Sequence, residues 1–251
     1  MNNRKPIIVA HRGLAGYAPE NTLPAYAAAL ELGFGLEIDA RLTSDNRIIL
    51  LHDATVDRTT DGDGAVGEQN LMAVQGLDAG SWFDSSFRGL RVPTLEEALK
   101  LVGERCRIPT LILLDFKAIA PAIKVEATQL VGRHGLLDQV VGFGALAHSP
   151  ELRQQFKTAE SEFLTACTAN TDDEWNAALV DDSLDWIYFR FMPTEAQIAD
   201  AHHAGKRLIA GGPIVMQRQS ENWLRLRQFN IDAMITDYPL ECQRCWRDQR
   251  S

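Results

Sequence analysis

Short apolar runs alternate with amphipathic stretches over most of the chain. Ile7–Ala10, Leu36–Leu42, Ile48–Leu51, Leu111–Phe116, Val140–Phe143, Phe163–Ala166, Trp186–Phe191, Leu208–Ala210 and Ala233–Thr236 read as strands. The stretches between them, Leu23–Leu32, Leu95–Val102, Ala120–Arg133, Pro150–Phe156, Asp172–Val180, Thr194–Ala204 and Met216–Gln228, read as helices. Local punctuation agrees with these limits. Asn21 and Thr22 are cap residues ahead of the first helix, and Gly33 and Gly35 stop it. Thr94 is the expected N-cap of the next helix, with Glu96 and Glu97 in its first turn.

Nine strands are one more than a regular β/α alternation needs. Beyond Thr43, only the turn-rich Ser44, Asp45, Asn46 and Arg47 separate the strand ending at Leu42 from Ile48, which suits a hairpin, whereas a parallel return needs a dozen residues or more. With the hairpin set aside, eight β/α units remain. That count predicts an α/β fold, a (β/α)8 TIM barrel, with a doubly wound open sheet as the alternative. Residues 1–251 read as one domain, because neither an internal repeat nor a low-complexity linker interrupts them. The interval of about 54–91 has no clear period and is rich in Gly, Asp, Ser and Thr. It is expected to be a small inserted subdomain over one end of the barrel, packed by its own aromatics Trp82, Phe83 and Phe87.

Composition narrows the partners more than the fold. The formal net charge of −9 argues against nucleic acid and against non-specific attraction to anionic membranes, while leaving room for a local phosphate pocket. No apolar run approaches the roughly 20 residues that span a bilayer. Met1–Pro6 leads into the first strand without a secretory h-region. The cysteines at 106, 167, 242 and 245 include one CxxC pair without a second, so they read as free thiols rather than a zinc site. These features predict a cytoplasmic protein with no stable membrane insertion.

Four groups of chemistry-bearing residues fall at or just beyond strand ends, where α/β proteins place their sites. His11 and Arg12 follow the first strand, and Gly13 lets the chain bend behind them. Glu37 and Asp39 share one face of the second strand by period-two alternation. Two like charges so placed call for a divalent cation, for which oxygen ligands suit Mg²⁺ or Ca²⁺, or else one acid is salt-bridged and the other solvated. His52 and Asp53 end the hairpin, where a carboxylate can orient its neighbouring imidazole or a histidine across the site. Asp115 and Lys117 are again two residues apart, either facing the barrel or forming a surface ion pair. This combination suits phosphodiester cleavage: cations neutralise the phosphoryl oxygens, one histidine accepts a proton and the other donates one.

In order, the motifs run His11-Arg12-Gly13, Pro19-Glu20-Asn21-Thr22 and Glu37-Ile38-Asp39-Ala40-Arg41-Leu42-Thr43. They continue through His52-Asp53, Asp57-Arg58-Thr59-Thr60-Asp61-Gly62, Val92-Pro93-Thr94-Leu95-Glu96-Glu97-Ala98-Leu99 and Ile235-Thr236-Asp237-Tyr238-Pro239. With these motifs the sequence resembles the glycerophosphodiester phosphodiesterases, a family of phospholipase C-like TIM barrels. The resemblance is dense in the N-terminal half and rests on rhythm alone from about 140 to 230. It implies a divalent cation on Glu37, Asp39 and Asp115, His11 and His52 as the acid–base pair, and Arg12 and Lys117 as phosphate-holding residues. The implied products are glycerol 3-phosphate and an alcohol, from a small-molecule phosphodiester.

The chain departs from the family pattern in three places. Asp115 stands where the family usually has Glu, although the related sphingomyelinase D-like toxins also use Asp. Leu208-Ile209-Ala210-Gly211-Gly212-Pro213 replaces a Trp-Thr-Val-Asn segment, which predicts a more open pocket there. Gly142-Phe143-Gly144 replaces a Ser-Phe. Arg190, at the end of an apolar run, is placed on the solvated rim, with the barrel mouth as the alternative. The leading function is metal-dependent hydrolysis with His11 as base and His52 as acid, the reverse assignment being equally compatible with the sequence. The alternatives are a phospholipase D-type activity on lysophospholipid-like or other sugar or polyol phosphodiesters, and an inactive barrel that binds a phosphorylated ligand.

Overall fold

Each strand sorts its side chains into an inward and an outward row, and that sorting positions everything that follows. The computed structural model describes residues 5–106, 108–117 and 121–248. In chain order the elements are β1 (Ile7–Ala10), α1 (Leu23–Glu31), β2 (Gly35–Leu42), β3 (Ile48–Leu50), α2 (Leu71–Gln75), α3 (Leu95–Arg105), β4 (Ile112–Phe116), α4 (Pro121–Arg133) and β5 (Val140–Gly144). They continue with α5 (Pro150–Ala159), β6 (Leu164–Ala169), α6 (Asp172–Leu179), β7 (Trp186–Phe189), α7 (Glu195–His203), β8 (Arg207–Ala210), α8 (Ser220–Gln228), β9 (Ala233–Thr236) and α9 (Pro239–Asp248).

Eight parallel strands close into a barrel in the order β1, β2, β4, β5, β6, β7, β8, β9, with β9 pairing back onto β1. β3 is the hairpin return and lies antiparallel on β2, with Leu42 opposite Ile48 and Ala40 opposite Leu50. The TIM barrel is therefore the fold, and the open sheet is excluded by closure. The inward row fills the barrel with Val9, Leu113, Val141, Ala166, Trp186, Ile209 and Ala233. The outward row, with Ile8, Ile38, Leu114, Phe116, Ile187 and Met234, packs against Tyr26, Leu99, Trp175 and Trp223 of the surrounding helices. No helix among the described residues is long and apolar enough to cross a membrane.

Two local expectations are corrected, and a third finding adds an element. The segment 54–91 is packed by aliphatics: Val56, Val66, Val74 and Ala79 join Ile49, Leu51 and Val92 in a separate buried cluster. Trp82, Phe83 and Phe87 meet edge to face at 5.7 and 5.6 Å, outside that cluster. The chain closes tightly beside them, since a Cβ at Gly80 would fall 1.9 Å from the Phe87 carbonyl oxygen. Second, α8 begins at Ser220, not Met216. The Met216 carbonyl accepts the Asp237 N–H at 3.2 Å, so this stretch ties the β8 loop to the end of β9 instead of propagating a helix. Third, the chain forms α9 after Pro239, where Trp246 is buried and donates its indole N–H to the Trp223 carbonyl at 3.0 Å.

Candidate active site

The acids come together through strand register. Asp39 of β2 lies directly opposite Asp115 of β4, and Glu37 precedes Asp39 on the same inward row. Glu37, Asp39 and Asp115 each offer an oxygen within 4.8 Å of the others. Glu37 and Asp39 are buried. Burial, reinforced by the charges of Asp39 and Asp115, holds the Glu37 carboxyl well above its ordinary value. Burial also penalises the charged form of Asp39. The Lys117 ammonium, Nζ at 2.7 Å, and a hydrogen bond from Asn21 outweigh that penalty and draw the carboxyl below its ordinary value. Asp115 stays raised by burial even though Lys117 Nζ lies 2.5 Å away. Lys117 is desolvated too, but these two carboxylates raise it on balance.

That cluster fits a hard cation. Its donors are all carboxylate oxygens, and Asp39 Oδ1 is buried without a hydrogen-bond partner, its contact with Lys117 being an ion pair out of hydrogen-bond alignment. Lys117 alone lies between two of the three close carboxyls, and Arg12, 3.4 Å from Asp39, is shared with Glu20, which leaves negative charge that a divalent ion would neutralise.

The turn after β1 brings the first histidine and arginine to these acids. Arg12 and Gly13 both adopt left-handed backbone, φ 56° and 80°. Gly13 is required for space as well, since a Cβ there would meet the Ala25 carbonyl carbon at 2.9 Å. The turn lets the Arg12 N–H donate to Glu37 Oε2 at 2.9 Å. The Arg12 guanidinium donates to Glu20 at 3.0 Å, and its Nε lies 3.4 Å from Asp39 without a hydrogen-bond partner. His11 faces inward, with Nδ1 2.7 Å from Asp237 Oδ1 and Nε2 4.0 Å from Glu37 Oε2. A carboxylate only accepts, so Nδ1 carries the proton and Nε2 keeps its lone pair for chemistry.

The capping residues before α1 serve the site instead. Thr22 occupies the N-cap without a side-chain cap bond, its hydroxyl donating to the Pro19 carbonyl at 2.6 Å. Asn21 donates to Asp39 Oδ2 at 2.7 Å, while its own oxygen accepts from the Asp39 N–H at 3.2 Å and the Tyr26 hydroxyl at 2.8 Å.

The second histidine is held by a longer chain of charges. His52 Nδ1 lies 2.7 Å from Asp53 Oδ1, Arg58 Nε donates to Asp53 Oδ2 at 2.6 Å, and the Arg58 guanidinium grips both oxygens of Glu20 at 2.8 Å. Glu20 in turn accepts from Arg12. The hydrogen bonds from Arg58, joined by that from His52, keep the Asp53 carboxyl far below its ordinary value against the opposing desolvation. Arg41, two residues beyond Asp39 on the inward row, donates twice to the His52 carbonyl, at 2.9 and 2.6 Å, and so fixes the hairpin end that carries the ring.

The opposite wall is built differently. Phe143 of β5 and Tyr188 of β7 pack with ring centroids 5.5 Å apart. Burial, with Arg190 opposing and Glu37 adding, pushes the Tyr188 hydroxyl up to about 12. Tyr188 lies flat on the β8 loop, where a Cβ at Gly211 would come within 2.0 Å of its ring. Arg190 stands two residues further out on the same row. It is exposed at the mouth, against Gly212, whose φ is 65°.

The glycerophosphoryl diester phosphodiesterase family matches this chain over residues 11–241. The chain belongs to that family. A glycerophosphodiester phosphodiesterase from Caldanaerobacter subterraneus is 31% identical over 241 residues, covering 94% of this chain and 95% of the relative. Among solved structures, a glycerophosphodiester phosphodiesterase from Agrobacterium tumefaciens superposes with a TM-score of 0.78 at 26% identity, over 94% of this chain and 98% of that one. A phosphodiesterase from Oleispira antarctica, in complex with the product sn-glycerol-3-phosphate, gives 0.78 at 25% identity over 97% of both chains. The protein is a phosphoric diester hydrolase of the glycerophosphodiester phosphodiesterase type.

In this phosphodiesterase the residues singled out from sequence, His11, Arg12, Glu37, Asp39, His52, Asp115 and Lys117, all gather at the carboxyl ends of β1, β2, β4 and the hairpin. Lys117 faces the barrel beside Asp115, not the surface. Four contributors have no role assigned from sequence, Asp237, Glu20, Arg41 and Arg58, and a fifth, Asn21, is assigned only as a helix cap. Parity was a usable signal for two of them, since Asp237 continues the inward row of Ala233 and Ile235, and Arg41 that of Glu37 and Asp39.

Proposed function

We propose that the enzyme hydrolyses glycerophosphodiesters to glycerol 3-phosphate and an alcohol, with Glu37, Asp39 and Asp115 holding Mg²⁺ or Ca²⁺ and His11 and His52 exchanging the protons. One observation carries this reading: two histidines, each tied through Nδ1 to its own carboxylate, flank one three-carboxyl cluster. Proton transfer needs two such oriented rings, whereas binding alone needs only the cations. The product held by the Oleispira antarctica neighbour supports the substrate class.

When bound, the cation supplies positive charge for the phosphoryl oxygens. Lys117 and the unpartnered Arg12 Nε offer further donors for the phosphate. His11 accepts the proton of a neighbouring substrate hydroxyl as its oxygen attacks phosphorus. His52 delivers a proton to the departing alcohol oxygen. Water then opens the cyclic phosphate, with the two proton transfers reversed. Asp237 and Asp53 keep each ring in one tautomer throughout.

The test is release of glycerol 3-phosphate from glycerophosphocholine or glycerophosphoethanolamine with Mg²⁺ or Ca²⁺, against the same assay in EDTA. Release that EDTA abolishes is expected. No release from any diester would overturn the reading, release indifferent to EDTA would remove the cation, and unchanged release by His11→Ala would remove the acid–base pair.

A further inference from the structure

β7 lies four strands from β2 in either direction around the barrel, so Arg190 stands across the mouth from the acid cluster. Strands spaced about 4.8 Å apart and tilted about 36° put opposite walls of an eight-stranded barrel about 15 Å apart. A diester with its phosphate between Arg12 and Lys117 therefore extends toward the β7 side. What it meets there is a cation without a carboxylate partner among the described residues. Among the described residues no carboxylate forms an ion pair with the Arg190 side chain, whose charge is felt by the Tyr188 hydroxyl beneath it. The protein is acidic, and other arginines at this mouth, Arg12 and Arg58, are tied to carboxylates.

The β8 loop is shaped to keep Arg190 there. A Cβ at Gly212 would fall 2.5 Å from Arg190 Nε and 3.1 and 3.2 Å from its Cγ and Cβ, so glycine alone lets the side chain lie along the loop. The Arg190 N–H donates to the Ala169 carbonyl of β6 at 3.1 Å, which fixes the base of the side chain. Backbone and stem are thus held while the guanidinium is free to bind.

We infer that Arg190 is a specificity residue that receives a negative charge carried by the alcohol part of the substrate. The glycerol part of a glycerophosphodiester has only hydroxyls, so a second anion has to come from the alcohol. This rests on the function proposed above. It makes diesters with an anionic alcohol, a carboxylate-bearing one above all, better substrates than their uncharged or purely cationic analogues.

Glycerophosphoserine and glycerophosphoethanolamine differ by one carboxylate and give a direct comparison. The readout is the ratio of their kcat/KM values in the same enzyme, which is insensitive to the fraction folded. Wild type is expected to favour glycerophosphoserine by about three- to tenfold, the scale of one partly exposed charge pair. Arg190→Gln brings the ratio to that of the unassisted pair, Arg190→Lys keeps part of it, and Arg190→Glu inverts it. Added salt shrinks the wild-type ratio and leaves that of Arg190→Gln unmoved. A wild-type ratio near one, or a preference that survives Arg190→Gln, overturns the assignment of Arg190 alone. Wild type that hydrolyses neither diester overturns the function on which it rests, and this inference with it.

Discussion

The two halves of the barrel mouth hold their side chains by different forces. On the β1, β2 and β4 side a continuous line of charge runs His52–Asp53–Arg58–Glu20–Arg12–Asp39–Lys117–Asp115, with every link between 2.5 and 3.4 Å. On the β7 and β8 side Tyr188 and Arg190 are placed by close approach to Gly211 and Gly212. Oriented charges reward a reaction that builds charge, because they need no reorganisation when it appears. A wall set by contact tolerates different occupants. On the function proposed above, this difference assigns chemistry to the first half and discrimination to the second.

The sharpest way to break that division is to remove a proton carrier. His52→Ala and His11→Ala are each expected to lower kcat by about 10²- to 10⁴-fold, the usual worth of general acid–base catalysis. Steady-state release of glycerol 3-phosphate reads the effect. A loss under about threefold for either would leave the charged half without its assigned role.

Acidity in the cluster gives the next effect. Burial and two neighbouring carboxyls raise Glu37, so its proton competes with a cation. Cation affinity should tighten with rising pH by up to about tenfold per unit, until Glu37 is ionised. The stability consequence has a definite sign. A raised folded value favours the fold fully below the ordinary glutamate value, and that contribution fades as pH rises through the raised one. In EDTA the melting temperature should therefore fall across this window, and saturating Mg²⁺ or Ca²⁺ should remove the fall. Glu37→Gln should show neither the slope nor its rescue.

Arg58 tests whether the charge line works as a unit. It is 44% exposed at the side chain and does not touch the acid cluster, yet it joins Asp53 to Glu20. Arg58→Ala should lower kcat by about tenfold with a smaller change in KM, because His52 loses its orientation and not its proton. A double-mutant cycle of Arg58→Ala with Glu20→Ala should give a coupling of about 1 kcal/mol, at the low end for contacting residues because Arg58 is partly solvated. Additive losses would mean that the links act separately.

How much of this could be read from the chain depended on how local each determinant was. The strands were legible because apolar runs are local, and their parity already set Glu37 beside Asp39 and Asp115 beside Lys117. Asp237 was not assigned, because its meeting with His11 needs β9 to close on β1, 226 residues away in sequence. Asn21 was misread for a related reason: a residue suited to capping its own helix instead satisfies a buried carboxylate from another strand. In the insertion the aromatics drew attention, but a cluster of β-branched residues without periodicity forms its interior.

The smallest expected effect sharpens the comparison from the other side. Tyr188 is the polar group of the contact-built wall nearest the acids, with Glu37 and Asp115 both felt by its hydroxyl. If it belonged to the charge line, losing that hydroxyl would cost a large part of kcat. If it is held by shape, Tyr188→Phe keeps the ring against Phe143 and Gly211 and loses only the hydroxyl, which lies beside the Gly212 backbone. That loss is worth about 1 kcal/mol of stability, and kcat should stay within about twofold. Thermal unfolding and turnover of the same preparation separate the two cases. A melting temperature near wild type with a tenfold fall in kcat would move Tyr188 into the catalytic half, and the boundary drawn here would have to pass beyond β7.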